Sequence, residues 1–137
     1  MIIWLASYPK SGNTWLRTII ASLLYTKDGQ FNFELLKKIQ QFPNQKYFKK
    51  FTNDFTNINE IKKYWIKAQE EINLNNNINF LKTHHINCKI DDFDFTNKSN
   101  TLATIYIVRD PRSLVNSISN HYDLSIIESK EFLLTSR

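Results

Sequence analysis

Three short stretches of the chain hold residue types that can bind an anion and move a proton. The first is Tyr8-Pro9-Lys10-Ser11-Gly12-Asn13-Thr14-Trp15, where a lysine, three small polar residues and one of only two glycines stand together. N–H groups at a helix start lack intrahelical partners, and the helix dipole favours negative charge beside them. The composition is therefore that of a phosphate-type cradle. Lys10 adds a full charge, Ser11, Asn13 and Thr14 add hydroxyl or amide donors, and Gly12 lets the backbone approach closely. It is not a Walker A loop, in which the lysine follows the second glycine of G-x-x-x-x-G-K-[ST]. Without a ligand, the same residues read as an ordinary strand-to-helix turn with a capping cluster.

The second stretch is Lys82-Thr83-His84-His85. A histidine acts as a general base when the proton to be removed lies within hydrogen-bond reach. Adjacent side chains at a strand end point to opposite sides, so at most one of the two serves. The alternative is a loop residue beside a packed partner. The third stretch runs from Arg109 to Ser117. Arginine suits forked recognition of a phosphate, whereas its plainer role here is an ion pair with Asp110, with Ser117 a small helix residue.

These stretches need elements to hold them. Residues 2–7 read as a short apolar strand of the kind buried on both faces. From Asn13 the periodicity becomes helical, with Trp15, Leu16, Ile19, Ile20, Leu23 and Leu24 on one stripe and a fade near residues 25–29. The Phe-rich residues 30–57 predict short helices and loops. Ile58, Ile61, Trp65, Ala68 and Ile72 mark a second amphipathic helix that stops at Asn75-Asn76-Asn77. Residues 79–83 predict a short strand, 87–100 are polar and turn-prone, and 101–108 form the clearest buried strand. Asp110 then suits an N-cap and Pro111 the first helical position, with Leu114, Val115 and Ile118 on the apolar face. A last helix is expected over 126–134. Such alternation predicts an α/β fold with a parallel sheet flanked by helices. Ligands of such sheets bind at the carboxyl ends of strands, where the three stretches arrive together.

Composition bounds the reading. The 137 residues, 42% hydrophobic and 23% charged, suit one domain spanning 1–137. There is no internal repeat and no Gly/Ser-rich linker. The net charge of +5 comes from scattered lysines, with pairs at 37–38, 49–50 and 62–63. It fits a solvated surface, or a field that attracts an anionic ligand. Clustered basic and aromatic residues suited to nucleic acid are missing. A single cysteine, Cys88, excludes an intramolecular disulfide and a cysteine metal cluster. The apolar start is too short for a membrane span and has no basic region or cleavage site of a signal peptide, so a cytoplasmic location is expected.

Together the three stretches resemble the cytosolic-type sulfotransferases. That family carries a Y-P-K-S-G-T-T-W-type loop, a K-T-H segment and an I-Y-[IV]-x-R-[ND]-P-[KR]-x-x-x-x-S segment. Here they stand in the same order as "YPKSGNTW", "FLKTHHIN" and "TIYIVRDPRSLVNSIS". The resemblance runs from residue 1 to about residue 122, with 26–78 matching only in general character.

It implies a P-loop-like sulfotransferase fold using 3′-phosphoadenosine-5′-phosphosulfate (PAPS) as sulfuryl donor, with adenosine 3′,5′-bisphosphate (PAP) as product and no metal. By the family pattern Lys10 contacts the phosphosulfate, Ser11, Gly12, Asn13 and Thr14 hold the 5′-phosphate, and Trp15 lies against the adenine. Arg109 and Ser117 match the pair that binds the 3′-phosphate. His84 matches the catalytic base, with Lys82 assisting at the sulfuryl group. Asn13 departs from the commoner threonine but still donates a hydrogen bond.

The acceptor, a small molecule or carbohydrate with a hydroxyl or amine, is unreadable from these motifs. Family domains continue beyond the Arg109–Ser117 segment to a late R-K-G-x-x-G-x-W-K-like motif. The chain's only glycines are Gly12 and Gly29, so that motif is absent and the fold is expected to be incomplete at the C-terminus. Alternatives are therefore a non-catalytic bisphosphate-binding module, or a sulfotransferase completed by a second chain or an oligomer. A kinase-like phosphotransferase is disfavoured by the missing Walker lysine.

Overall fold

The computed structural model describes residues 1–135. Strand β1 (Ile2–Ser7) lies between two parallel neighbours, β3 (Asn79–Thr83) and β6 (Thr101–Ile107). A two-residue strand, β2 (Gln40–Gln41), adds to β3, so the order is β2-β3-β1-β6 with every pairing parallel. Trp4 is in register with Leu81 on one side and Thr104 on the other.

Alternation along β1 explains its unbroken apolar character. Ile2 and Trp4 enter an aromatic-rich cluster with Phe42, Phe48, Trp65, Leu81 and Phe95 on one face. Leu5 joins Ala21, Leu35 and Ile39 on the other. A strand covered on both faces gains from being apolar at every position. Phe42 lies at the centre of the larger cluster, its ring 5.6 Å from Trp4 and from Phe48 and 5.9 Å from Phe95.

Helix α1 (Asn13–Tyr25) covers the second face, but only part of the expected stripe does so. Leu16 and Ile20 pack on the Leu5 cluster, whereas Trp15 and Leu23 are each 72% exposed. The small Ala21 and Ser22, both buried, let the helix approach closely, which rotates Trp15 and Leu23 away from the sheet.

The expected helix over residues 58–72 is divided. Four residues of α2 (Ile58–Ile61) pass through a tighter 3-10 turn, 62–64, into α3 (Trp65–Asn73). The turn satisfies several contacts at once. Ile61 and Trp65 enter the core, the buried Lys62 pairs with Asp91, and Tyr64 stacks on Phe51 at 5.5 Å. Asp91 belongs to a two-stranded hairpin, β4 (Lys89–Ile90) with β5 (Phe93–Asp94), inside the stretch expected to be only turns. Its φ of 52° supplies the left-handed turn residue.

The largest departure is β6, expected to be buried. Leu102 is 50% exposed and Tyr106 65%. As the end strand it has an unpaired edge, and α4 (Pro111–Tyr122) turns away to pack chiefly with α5 (Ile126–Thr135). Apolar β-branched composition identifies a strand without fixing what covers it.

Replacing the fully buried Phe42 by alanine is expected to destabilise the fold by about 3–5 kcal/mol, whereas Leu23→Ala costs less than about 0.5 kcal/mol. Urea unfolding of both variants checks this, and equal losses would remove Phe42 from the centre of the core.

Candidate functional site

All three long strands end at the same edge of the sheet, and each feeds one of the three chemically loaded stretches. After Ser7 the chain makes a turn in which the Ser11 N–H donates to the Tyr8 carbonyl at 3.2 Å. Lys10 and Gly12 both take left-handed backbone, at φ 67° and 101°. Glycine does this freely, while a residue with a Cβ gives up about 1–2 kcal/mol. The strained lysine thus sits within the loop where its charge is wanted. Gly12 is the N-cap of α1, and no side chain caps this helix among the described residues. The Leu16 N–H makes the first helical bond, to the Gly12 carbonyl at 3.1 Å. The N–H groups of the first turn remain available to an anion.

Arg109 follows β6 and reaches back to this loop, donating from Nη1 to the Lys10 carbonyl at 3.1 Å. It does not pair with Asp110. That carboxylate accepts from the Arg112 N–H at 2.9 Å as the N-cap of α4, and lies 2.7 Å from Arg112 Nη2. The Arg112 guanidinium beside it holds the Asp110 carboxyl below its usual range. With Pro111 in the first helical position, α4 starts at the sheet edge and turns Ser117 towards the loop.

Alternation along β3 sends Lys82 and His84 to the α1 face and Thr83 and His85 to the other. His84 Nδ1 lies 2.8 Å from the Ser7 carbonyl oxygen. A carbonyl only accepts, so Nδ1 carries the hydrogen and Nε2 keeps its lone pair. Burial lowers the His84 pKa; the Ser7 carbonyl opposes this, and the Lys82 and Arg17 charges add to it. The ring is therefore neutral near pH 7, as a base must be. Lys82 is also lowered, by burial first and the Arg17 charge second, and its ammonium donates to Gln41 Oε1 at 3.2 Å. His85 rests flat on Phe95, centroids 5.4 Å apart, and lines a separate cavity of about 310 Å³. The two histidines thus face different sides of the sheet.

One cavity of about 860 Å³ gathers Lys10, Gly12, Asn13, Thr14, Trp15, Lys82, His84, Arg109 and Ser117. Ser11 alone among the expected site residues lies elsewhere, buried beside a neighbouring cavity with Tyr106 and Leu114. Asn13 borders the site, but its amide points into the sheet, donating to the Leu5 carbonyl at 2.8 Å and Ser7 Oγ at 3.1 Å. Among the described residues no carboxylate lines the cavity, whereas two lysines and an arginine do. That balance, with an open helix start, suits an anion. Among the described residues no group of three or more His, Cys, Asp or Glu could hold a metal ion, and no helix is long and apolar enough to cross a membrane.

Phe31 and Phe33, edge to face at 5.2 Å, line the cavity from the Phe-rich stretch, where the acceptor pocket was expected. Other lining or supporting residues, among them His121 and Tyr122, had no signal in the sequence. Arg17 lies behind the site, donating to the carbonyls of Leu36 at 2.8 Å and Ile39 at 2.6 Å. Within the helical periodicity it reads as an ordinary polar position. Ser7 reads only as the end of a strand.

This geometry defines an α/β protein with a positively charged cavity at the carboxyl edge of a parallel sheet, next to a histidine. A family model described as "Sulfotransferase domain" matches residues 2–132, and the chain belongs to that family. Compared with curated proteins and with solved structures, it matched none.

Because the folded-state pKa of His84 is depressed, the unfolded chain binds that proton more readily. Its stabilising effect is complete above the ordinary histidine value of about 6.5 and is lost as pH falls below it. NMR titration should place the His84 midpoint below 6.5, and His84→Gln should weaken the loss of stability on acidification. A midpoint at or above 6.5 would mean that burial does not outweigh the Ser7 carbonyl at this ring.

Proposed function

We propose that the protein transfers a sulfuryl group from PAPS to a hydroxyl or amine acceptor, on a P-loop-like loop that holds the donor's 5′-phosphate. The observation that carries this reading is the convergence of Lys10, the α1 start, His84, Arg109 and Ser117 on one cavity to which the described residues contribute no carboxylate. Its volume of about 860 Å³ lies in the upper range of small-molecule sites, which accommodates a bisphosphorylated nucleotide beside a modest acceptor.

The donor supplies an activated S–O bond. His84 Nε2 takes the proton as the acceptor oxygen or nitrogen attacks sulfur. The bond from sulfur to the bridging phosphate oxygen breaks, and Lys10 stabilises the charge left there. Lys82 lies on the same face of β3 and adds positive charge. Arg109 and Ser117 hold the 3′-phosphate, Gly12, Asn13 and Thr14 offer N–H groups to the 5′-phosphate, Ser11 supports the loop, and Trp15 borders the base. Positioning and preorganised charge account for catalysis of this kind, so no metal is required.

Calorimetric titration with PAP is the first test. Wild-type protein should bind, and Arg109→Ala should weaken binding by about tenfold or more, the loss of one charged hydrogen-bonded contact. His84→Ala should retain PAP binding and lower kcat by about 10²–10⁴-fold. Turnover at the wild-type rate in His84→Ala would refute the base. Binding without turnover in wild-type protein across an acceptor screen would make the chain a bisphosphate-binding module.

A further inference from the structure

Asn13 begins α1 directly after the loop, where a polar side chain is expected to face the ligand. Instead it is 4% exposed and turned inward. Its Nδ2 donates to the Leu5 carbonyl at 2.8 Å and to Ser7 Oγ at 3.1 Å, so both amide hydrogens are committed to the end of β1. The amide orientation follows from chemistry. A flipped Asn13 would set its own oxygen against the Leu5 carbonyl, two acceptors face to face. As it stands, Asn13 Oδ1 is buried without a hydrogen-bond partner. A buried orphan acceptor is costly, and the two donated bonds offset that cost.

The recipient of one of those donors is Ser7, also 4% exposed. Ser7 offers two oxygens to the same histidine nitrogen, its carbonyl 2.8 Å and its Oγ 3.2 Å from His84 Nδ1. The carbonyl accepts the Nδ1 hydrogen, and Oγ, which accepts from Asn13 Nδ2, is held against the same nitrogen. The tautomer with Nε2–H is then excluded, because it would turn a bare Nδ1 towards the Ser7 carbonyl.

We propose that Asn13 and Ser7 are positioning residues for His84: Asn13 orients the Ser7 hydroxyl, and Ser7 holds the imidazole with Nε2 unprotonated and facing the cavity. The side chain of Asn13 therefore contributes to proton transfer instead of anion binding, while its backbone N–H stays in the cradle. This rests on the reading of His84 as general base.

Imidazole ¹⁵N–¹H correlation spectra of the nucleotide-free protein report the tautomer independently of activity. Wild-type His84 should carry its hydrogen on Nδ1. Asn13→Ala and Ser7→Ala keep the Ser7 carbonyl, so Nδ1–H stays the major tautomer, but by loosening the ring and the end of β1 they should raise the Nε2–H fraction measurably and lower kcat by about tenfold or more. Their affinity for PAP should change less than about threefold. Ser7→Thr, which keeps the hydroxyl, should restore the tautomer and much of kcat. If Asn13→Ala does not fold, the Ser7 pair carries the test. An unchanged tautomer together with tenfold weaker PAP binding in Asn13→Ala, or an unchanged tautomer in Ser7→Ala, would overturn the proposal. Normal turnover in His84→Ala would instead overturn the base assignment and leave the tautomer result standing.

Discussion

Parallel pairing of β1 with β3 on one side and β6 on the other sends three carboxyl ends to a single edge of the sheet. Parallel strands are joined by crossovers, so residues far apart in sequence meet wherever the strands stop. Lys10, His84 and Arg109 are neighbours for this reason alone. Register refines the arrangement, since Leu5 lies opposite Lys82 and Ile105, which places Ser7 beside the end of β3. The two core clusters on either face hold β1 in that register, and a one-residue slip would exchange His84 with His85.

The site's electrostatics follow from what surrounds it as much as from what lines it. Lys10, Lys82 and Arg109 line a cavity to which the described residues contribute no carboxylate, and Arg17 adds a fourth positive charge from behind. Cations gathered in this way oppose one another and depress the protonation of neighbouring bases. Asp110, the nearest acid in the sequence, is occupied by Arg112 and by the start of α4. Uncompensated positive charge of this kind favours an anion nearby. Burial first, and this field second, keep His84 neutral.

Much of this was legible in the sequence because the informative signals are local. A lysine–glycine loop between a strand and a helix, an Asp-Pro helix start and an Arg after an apolar strand need no tertiary information to interpret. The parallel α/β architecture followed from strand–helix alternation. What could not be read depends on partners distant in sequence. The apolar residues of β6 and the outer stripe of α1 look like core residues, yet a side chain is buried only if another element covers it. Asn13 shows the same limit at the site. Its amide suits phosphate and peptide carbonyl equally, and only the close approach of α1 to the end of β1 decides between them.

Arg17 links two parts of the molecule that otherwise meet only through apolar contact. Its guanidinium grips the Leu36 and Ile39 carbonyls, while residues 27–34 just upstream are all exposed. The segment carrying Phe31 and Phe33 is therefore a loop pinned at both ends, by α1 on one side and by the arginine clamp on the other. None of residues 27–34 between the two anchors belongs to either core cluster, so their length and side chains can change without removing a contact that holds the sheet. The cavity wall they supply is thereby separable from the scaffold that carries Lys10 and His84.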